Sequence, residues 1–295
     1  MPLDTDAAVA EGPVTLRWST QFDLASAISG RTYRISVFRP PAPAPPCGYP
    51  LLVVLDGDMT FPIAAAMAAT YAYSMCPVLV VGVGYATDSP IAFSTLRFRD
   101  LTPPTPPEAI PRRPGLPVIG PDGVGGADLF HRFLTEELRP AIAAAHSVDA
   151  AREALFGYSL AGLFVLDTLF KHPDAYRSFI AASPSIWWND CALLRQEAAF
   201  VRAVGAGAAA PRLLISVGAK EQVLPRRAPP GMTQGDLEAL LAEARMVDNA
   251  WELATRLGRT AGGRCVAQFH AFEDEDHLTG LAASIGRALD FATQD

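Results

Sequence analysis

Ser159 stands in the run Phe156-Gly157-Tyr158-Ser159-Leu160-Ala161-Gly162, with a glycine two residues before it and an alanine two residues after. An apolar run stops at this point and a helical pattern begins, the setting of a nucleophile elbow. There a sharp, strained turn projects the hydroxyl, and only small flanking residues let strand and helix backbones meet. The N–H of Leu160, at the new helix's N-terminus, is placed to stabilise an oxyanion. A serine that merely caps a helix is the competing reading. A serine hydroxyl needs a base, and in this kind of turn the base follows the nucleophile and an acid in chain order. Of five histidines, His131, His146 and His172 sit on or at the ends of helical patterns, and His270 lies within a strand pattern. His277 differs, because it closes the loop Phe272-Glu273-Asp274-Glu275-Asp276-His277 between the last strand and the last helix. An acid should orient the imidazole and should follow a late strand. Glu221, one short turn past residues 212–217, fits by position, and Asp276 and Asp274 are the alternatives. A second oxyanion donor is expected in Leu55-Asp56-Gly57-Asp58-Met59, from the N–H of Asp58 or Met59, although a plain acidic turn explains that stretch equally well. Two carboxylates in one turn without further ligands fall short of a metal site, so no metal is expected.

The elements that must position these groups read as an α/β pattern. Residues 15–22 and 32–39 alternate in strand fashion, and residues 51–55 form a wholly apolar strand of the kind covered on both faces. A helix is expected over 64–73, a buried strand over 78–83, and a long amphipathic helix over 127–145. Residues 86–126 are rich in Pro and Gly without a period and read as a long irregular loop. Strands are expected at 154–156, 178–182, 212–217 and 264–271, with helices at 160–170, 235–257 and 279–292. The whole chain, 1–295, reads as one domain with a helical insertion near 222–260.

Composition removes other classes. Of 295 residues half are apolar, and the formal net charge is −7, with no cluster of Lys and Arg that a nucleic-acid partner would require. No apolar run reaches membrane-spanning length, so no membrane association is expected. Cys47, Cys76, Cys191 and Cys265 are far apart and lack a Cys-x-x-Cys pair, which suggests free thiols. Acidic residues among the first ten positions, with no apolar run behind them, point to a cytoplasmic protein; paired cysteines outside the cell are the alternative if a leader has been removed.

Several blocks in order resemble the esterase branch of the α/β-hydrolases that includes the enterobactin and salmochelin trilactone siderophore esterases. They are Leu55-Asp56-Gly57-Asp58, Arg99-Asp100-Leu101-Thr102-Pro103, Gly125-Gly126-Ala127 with Phe130, Phe133-Leu134 with Glu137-Leu138-Pro140, the elbow through Phe164, Ala182-Ser183-Pro184-Ser185-Ile186-Trp187-Trp188, Val217-Gly218 with Glu221, Met246-Asn249-Ala250, and Glu275-Asp276-His277. The resemblance runs from about residue 32 to about residue 289. The resemblance implies an α/β-hydrolase fold, a central mainly parallel sheet flanked by helices on both faces. It implies Ser159 as nucleophile, His277 as base and Glu221 in the acid's place, in a branch that can work with a weak or absent third member. It also implies substrate contacts from Arg99 near the entrance and from Trp187 and Trp188 as walls of an acyl or aryl pocket, with plain packing as the other reading of a tryptophan. The branch often carries His before the nucleophile and Gly at the end of the pentapeptide; here Tyr158 and Ala161 stand there, and Tyr158 is expected beside the substrate. The expected activity is hydrolysis of a small-molecule carboxylic ester through an acyl-enzyme, without metal or organic cofactor, on a monomer or homodimer. A siderophore trilactone is the substrate so implied. A feruloyl-type or general carboxylester, a thioester and acyl transfer would use the same residues, and a non-catalytic binding protein is the alternative of another class.

Overall fold

The computed structural model describes residues 14–74, 76–112, 119–207, 210–260 and 264–294. The reading of the first ten residues, and residues 113–118 of the expected loop, lie outside it. Eight strands, β1 (Ser19–Ala25), β2 (Thr32–Phe38), β3 (Tyr49–Leu55), β4 (Leu79–Tyr85), β5 (Val148–Tyr158), β6 (Ser178–Ala182), β7 (Arg212–Gly218) and β8 (Val266–Phe272), form one sheet in the order β1-β2-β4-β3-β5-β6-β7-β8. β1 and β2 pair antiparallel, as does β2 with β4, and every later pairing is parallel. The central strands β3, β4 and β7 are buried at every position, which is why their sequences run apolar without alternation.

The ten helices are α1 (Gly57–Ser74), α2 (Pro90–Leu101), α3 (Ala127–Arg132), α4 (Arg139–Ala145), α5 (Leu160–Lys171), the single turn α6 (Trp188–Cys191), α7 (Glu197–Gly205), α8 (Gln234–Ala244), α9 (Met246–Thr260) and α10 (Gly280–Thr293) among the described residues. β3 shows how they cover both faces. Leu52 and Val54 face Phe61, Ala64 and Ala68 of α1 and Ile285 and Leu289 of α10, while Leu51, Val53 and Leu55 join a larger core with α3, α4, α5, α7 and α9. The period-2 alternation of side chains thus feeds two cores from one strand.

Some expected bounds shift. The helix placed at 64–73 starts at Gly57 and carries Pro62 inside it, and that proline obscured its first turns. The 127–145 helix is continuous but loosens to a π-helical stretch over Phe133–Leu138. The single helix expected at 235–257 is two, broken where Arg245 adopts φ 42°. The largest correction lies within 86–126, where residues 90–101 form α2. Ser89 caps it, its hydroxyl accepting from the N–H of Ala92 at 3.3 Å, and Pro90 opens it. Only Phe98, Asp100 and Leu101 of α2 are buried, so it shows no apolar stripe to read.

Candidate active site

Because β3 and β5 to β8 run parallel, the loops leaving Leu55, Tyr158, Ala182, Gly218 and Phe272 gather along one edge of the sheet. Ligands meet such sheets at that edge. The turn from β5 into α5 is the tightest of these. Ser159 has φ 60° and ψ −115°, a costly conformation for a residue with a side chain. A Cβ at Gly157 would lie 2.2 Å from the carbonyl oxygen of Ala161, and one at Gly162 2.9 Å from that of Ala182, so both glycines are required by contact. The Ser159 hydroxyl makes no capping hydrogen bond to α5, which removes the plain N-cap reading. Backbone bonds hold the elbow: the Ser159 N–H donates to Ala182 O at 2.9 Å, and its carbonyl accepts from Leu163 and Ser185 N–H at 3.1 Å each. Leu160 opens α5, where first-turn amides lack intrahelical acceptors and remain available to an oxyanion.

The hydroxyl points at His277. Its Oγ is 3.1 Å from His277 Nε2, and His277 Nδ1 is 2.7 Å from Glu221 Oε2. A carboxylate at Nδ1 holds the ring proton there and leaves Nε2 free to accept from the serine. Glu221 is 4% exposed, and its other oxygen accepts from Ser183 Oγ at 2.6 Å and from the Gly218 N–H at 2.7 Å. The alternative acids are committed elsewhere. Asp276 accepts from the N–H groups of Leu278 and Thr279 at 2.8 and 3.0 Å, and the bonds from Thr279 and Leu278 hold its carboxyl below the usual range. Asp274 pairs with Lys220 at 3.0 Å. The other histidines stand apart from the serine: His131 and His172 stack at 4.2 Å with burial lowering the His131 pKa to about 4, His146 ends α4, and His270 packs on Phe272.

On the opposite side, Asp56 leaves β3 with φ 52°, and its carbonyl accepts from the N–H groups of Met59 and Thr60. The Met59 amide is therefore engaged, leaving Asp58 as the candidate second oxyanion donor. The Asp58 carboxylate accepts from the Tyr85 N–H at 3.1 Å, and Asp56 is paired with Arg97 at 2.8 Å. Among the described residues no group of three or more His, Cys, Asp and Glu is arranged to hold a metal ion, and no helix is long and apolar enough to cross a membrane. Arg97 also donates to the carbonyl of Tyr158 at 3.3 Å, bracing the β3 loop against the elbow. Sequence reasoning missed Arg97 although it lies two residues before Arg99. The signal was Asp56, a carboxylate at the end of an apolar strand that must find a cation.

Four expected substrate contacts fare differently. Trp188 is 1% exposed, donates from its indole to Thr105 Oγ1 at 2.9 Å and packs on Phe98, so it belongs to the core. Tyr158, 8% exposed, turns its hydroxyl to the carbonyl of His277 at 2.9 Å and not toward a substrate. Arg99 donates to the Asp122 carbonyl and accepts the Gly126 N–H at its own carbonyl, fastening residues 121–126 to α2. Trp187 is half-buried and lines a cavity of about 660 Å³ with residues 107–112 and 189–191 and Glu243. Ser185, two residues before it, has its Oγ 3.5 Å from that of Ser159, but none of Ser159, His277 and Glu221 lines this cavity.

Residues 120–252 match the family model described as "Putative esterase". The chain is 35% identical over 279 residues to the ferri-bacillibactin esterase BesA of Bacillus subtilis strain 168, covering 91% of this chain and 87% of that protein. It is 32% identical to the siderophore triacetylfusarinine C esterase of Aspergillus fumigatus, covering 83% and 82% of the two chains. Among solved structures it is similar to the siderophore hydrolase EstB from Aspergillus nidulans, with a TM-score of 0.78, 32% identity, and coverage of 97% of this chain and 98% of that one.

Proposed function

From the premise that the chain belongs to this esterase family on the α/β-hydrolase fold, we propose that Ser159, His277 and Glu221 are the nucleophile, base and acid with which it hydrolyses the esters of a siderophore. One observation carries the residue roles: the unbroken line from Ser159 Oγ through both nitrogens of His277 to a buried carboxylate. Ser159 Oγ attacks the ester carbonyl as His277 Nε2 takes its proton. The carbonyl oxygen, now negative, is held by the N–H groups of Leu160 and Asp58. Collapse of the intermediate expels the alcohol, which receives the proton from His277, and leaves an acyl-serine. A water, deprotonated by the same nitrogen, then releases the acid and restores the serine.

The names of the relatives support a siderophore ester as substrate. All four cysteines are unpaired thiols, which supports a reducing, cytoplasmic setting. A fluorophosphonate probe is expected to label the wild-type protein and to leave Ser159→Ala unlabelled; labelling that persists in the variant removes Ser159 from the role. Comparing a catecholate trilactone with feruloyl and short-acyl nitrophenyl esters tests the substrate. A higher kcat/KM for either simple ester class than for the trilactone would replace the siderophore reading by a general carboxylesterase.

A further inference from the structure

The residue before the nucleophile is not idle. Tyr158 belongs to β5 by its backbone and to the His277 loop by its side chain. Its hydroxyl donates to the carbonyl oxygen of His277 at 2.9 Å, and its ring lies 5.3 Å from the imidazole, tilted by 46°. Room for that hydroxyl comes from Gly280, where a Cβ would stand 3.2 Å from the phenolic oxygen. The other end of Tyr158 is tied as well, since Arg97 donates to its carbonyl and the neighbouring Ser159 N–H reaches Ala182 O. Burial first, and the Glu221 charge next, push the phenol's pKa up, which keeps the hydroxyl protonated and able to donate.

We infer that Tyr158 is a positioning residue, whose hydroxyl couples the backbone of the base to the strand that carries the nucleophile and so fixes the distance from His277 Nε2 to Ser159 Oγ. The need for such a brace is visible in the loop itself. His277 follows four consecutive acids, its side chain is 43% exposed, and Leu278 beside it is 85% exposed, so the segment is held by hydrogen bonds more than by apolar packing. The loop is tied to the β7 turn, where the Lys220 N–H donates to the Glu275 carbonyl at 3.0 Å, and the Glu221 carboxylate holds the imidazole. Two further ties bear on the backbone at His277 itself. Asp276 gathers the amides of Leu278 and Thr279 within the loop, while Tyr158 fastens the loop to the sheet. The inference rests on the proposed roles of Ser159 and His277.

The test removes the hydroxyl and keeps the ring. Turnover of a nitrophenyl ester is measured per active site, titrated with the fluorophosphonate. Tyr158→Phe should lower kcat about tenfold, because a misplaced base costs rate and not affinity, while KM stays within about twofold. The rate of fluorophosphonate labelling should fall by the same factor. In a His277→Ala background, where there is no imidazole to place, adding Tyr158→Phe should leave the residual rate unchanged. Gly280→Ala, which crowds the hydroxyl without removing it, should lower kcat in the same direction and carries the test if the phenylalanine variant does not fold. A wild-type kcat in both variants, a loss seen in KM, or a loss that persists undiminished without His277 overturns the inference, the last two because Tyr158 would then touch the substrate. A wild-type protein that the probe does not label at Ser159 would instead overturn the reading of the site on which the inference stands.

Discussion

Glu221 uses its two oxygens for different purposes. Oε2 faces His277, while Oε1 accepts from Ser183 and the Gly218 amide, so the carboxylate cannot rotate away from the imidazole without giving up two short bonds. Both donors are themselves constrained. Ser183 is fully buried with φ 43°, and a Cβ at Gly218 would lie 2.5 Å from the carbonyl of Glu275, so the β7 and β8 loops touch where the acid is set. Glu221→Gln keeps the shape but loses the charge that stabilises the imidazolium, and an amide nitrogen turned to Nδ1 favours the wrong tautomer. By analogy with the acid of the serine-protease triad, kcat should fall by roughly 10³-fold or more. Asp276→Asn keeps an oxygen that can accept from the Leu278 and Thr279 amides, removes only the charge and touches no reacting group, so kcat per titrated site should change by less than about tenfold. Steady-state turnover of both variants checks the assignment, and the reverse order would move the acid role to Asp276.

At the scale of elements, α2 holds the site together. From one short helix Arg97 reaches Asp56 and the elbow, Phe98 packs on Trp188, Arg99 fastens residues 121–126, and Asp100 meets Arg31 and Tyr33. Asp56 is 3% exposed, and burial raises its carboxyl pKa against the opposing pull of Arg97. Removing the partner of a buried charge is costly, so Arg97→Met should lower stability by about 3 kcal/mol, and adding Asp56→Asn should return part of the loss. Urea unfolding of the two single variants and the double variant measures this, and additive losses would mean that the pair is not coupled. This helix was also the least legible in the sequence. The parallel strands announced themselves because burial on both faces demands unbroken apolar runs such as Leu51 to Leu55. The elbow and His277 could be read because chemistry restricts residue type and chain order. α2 instead secures itself through polar contacts to distant residues, which leave no period in a local stretch, and Ser89-Pro90 was its one readable start. The same cause hid Arg97 and the hydrogen-bond partners of Trp188 and Tyr158, which lie dozens of positions away in the chain.

The whole molecule joins an antiparallel edge, β1 and β2, to a parallel sheet, and Asp100 sits at that joint. It reaches from α2 to Arg31 at 2.9 Å and to the hydroxyl of Tyr33 at 3.0 Å, and it is 1% exposed. Burial, only partly offset by Arg31 and by the Tyr33 hydrogen bond, raises its pKa from 3.8 to about 6. The native state therefore keeps a proton between those values that the unfolded chain releases. Stability from this group falls as pH rises through the window from about 4 to about 6 and is level above it, with a total loss of about 3 kcal/mol. Asp149, Asp236 and Asp276 act in the opposite sense, since hydrogen bonds hold their pKa values down and their contribution grows as pH rises. The stability of wild type alone thus mixes both signs, and comparison with Asp100→Asn isolates the one group. The neutral amide resembles the protonated acid in shape and does not titrate, so the wild type should lose ground to the variant steadily from pH 4 to 6.5 and hold a constant difference beyond. Denaturant unfolding at half-unit pH intervals measures that difference. A flat difference would show that Asp100 titrates normally, and one of opposite slope that Arg31 outweighs burial where the two parts of the sheet meet.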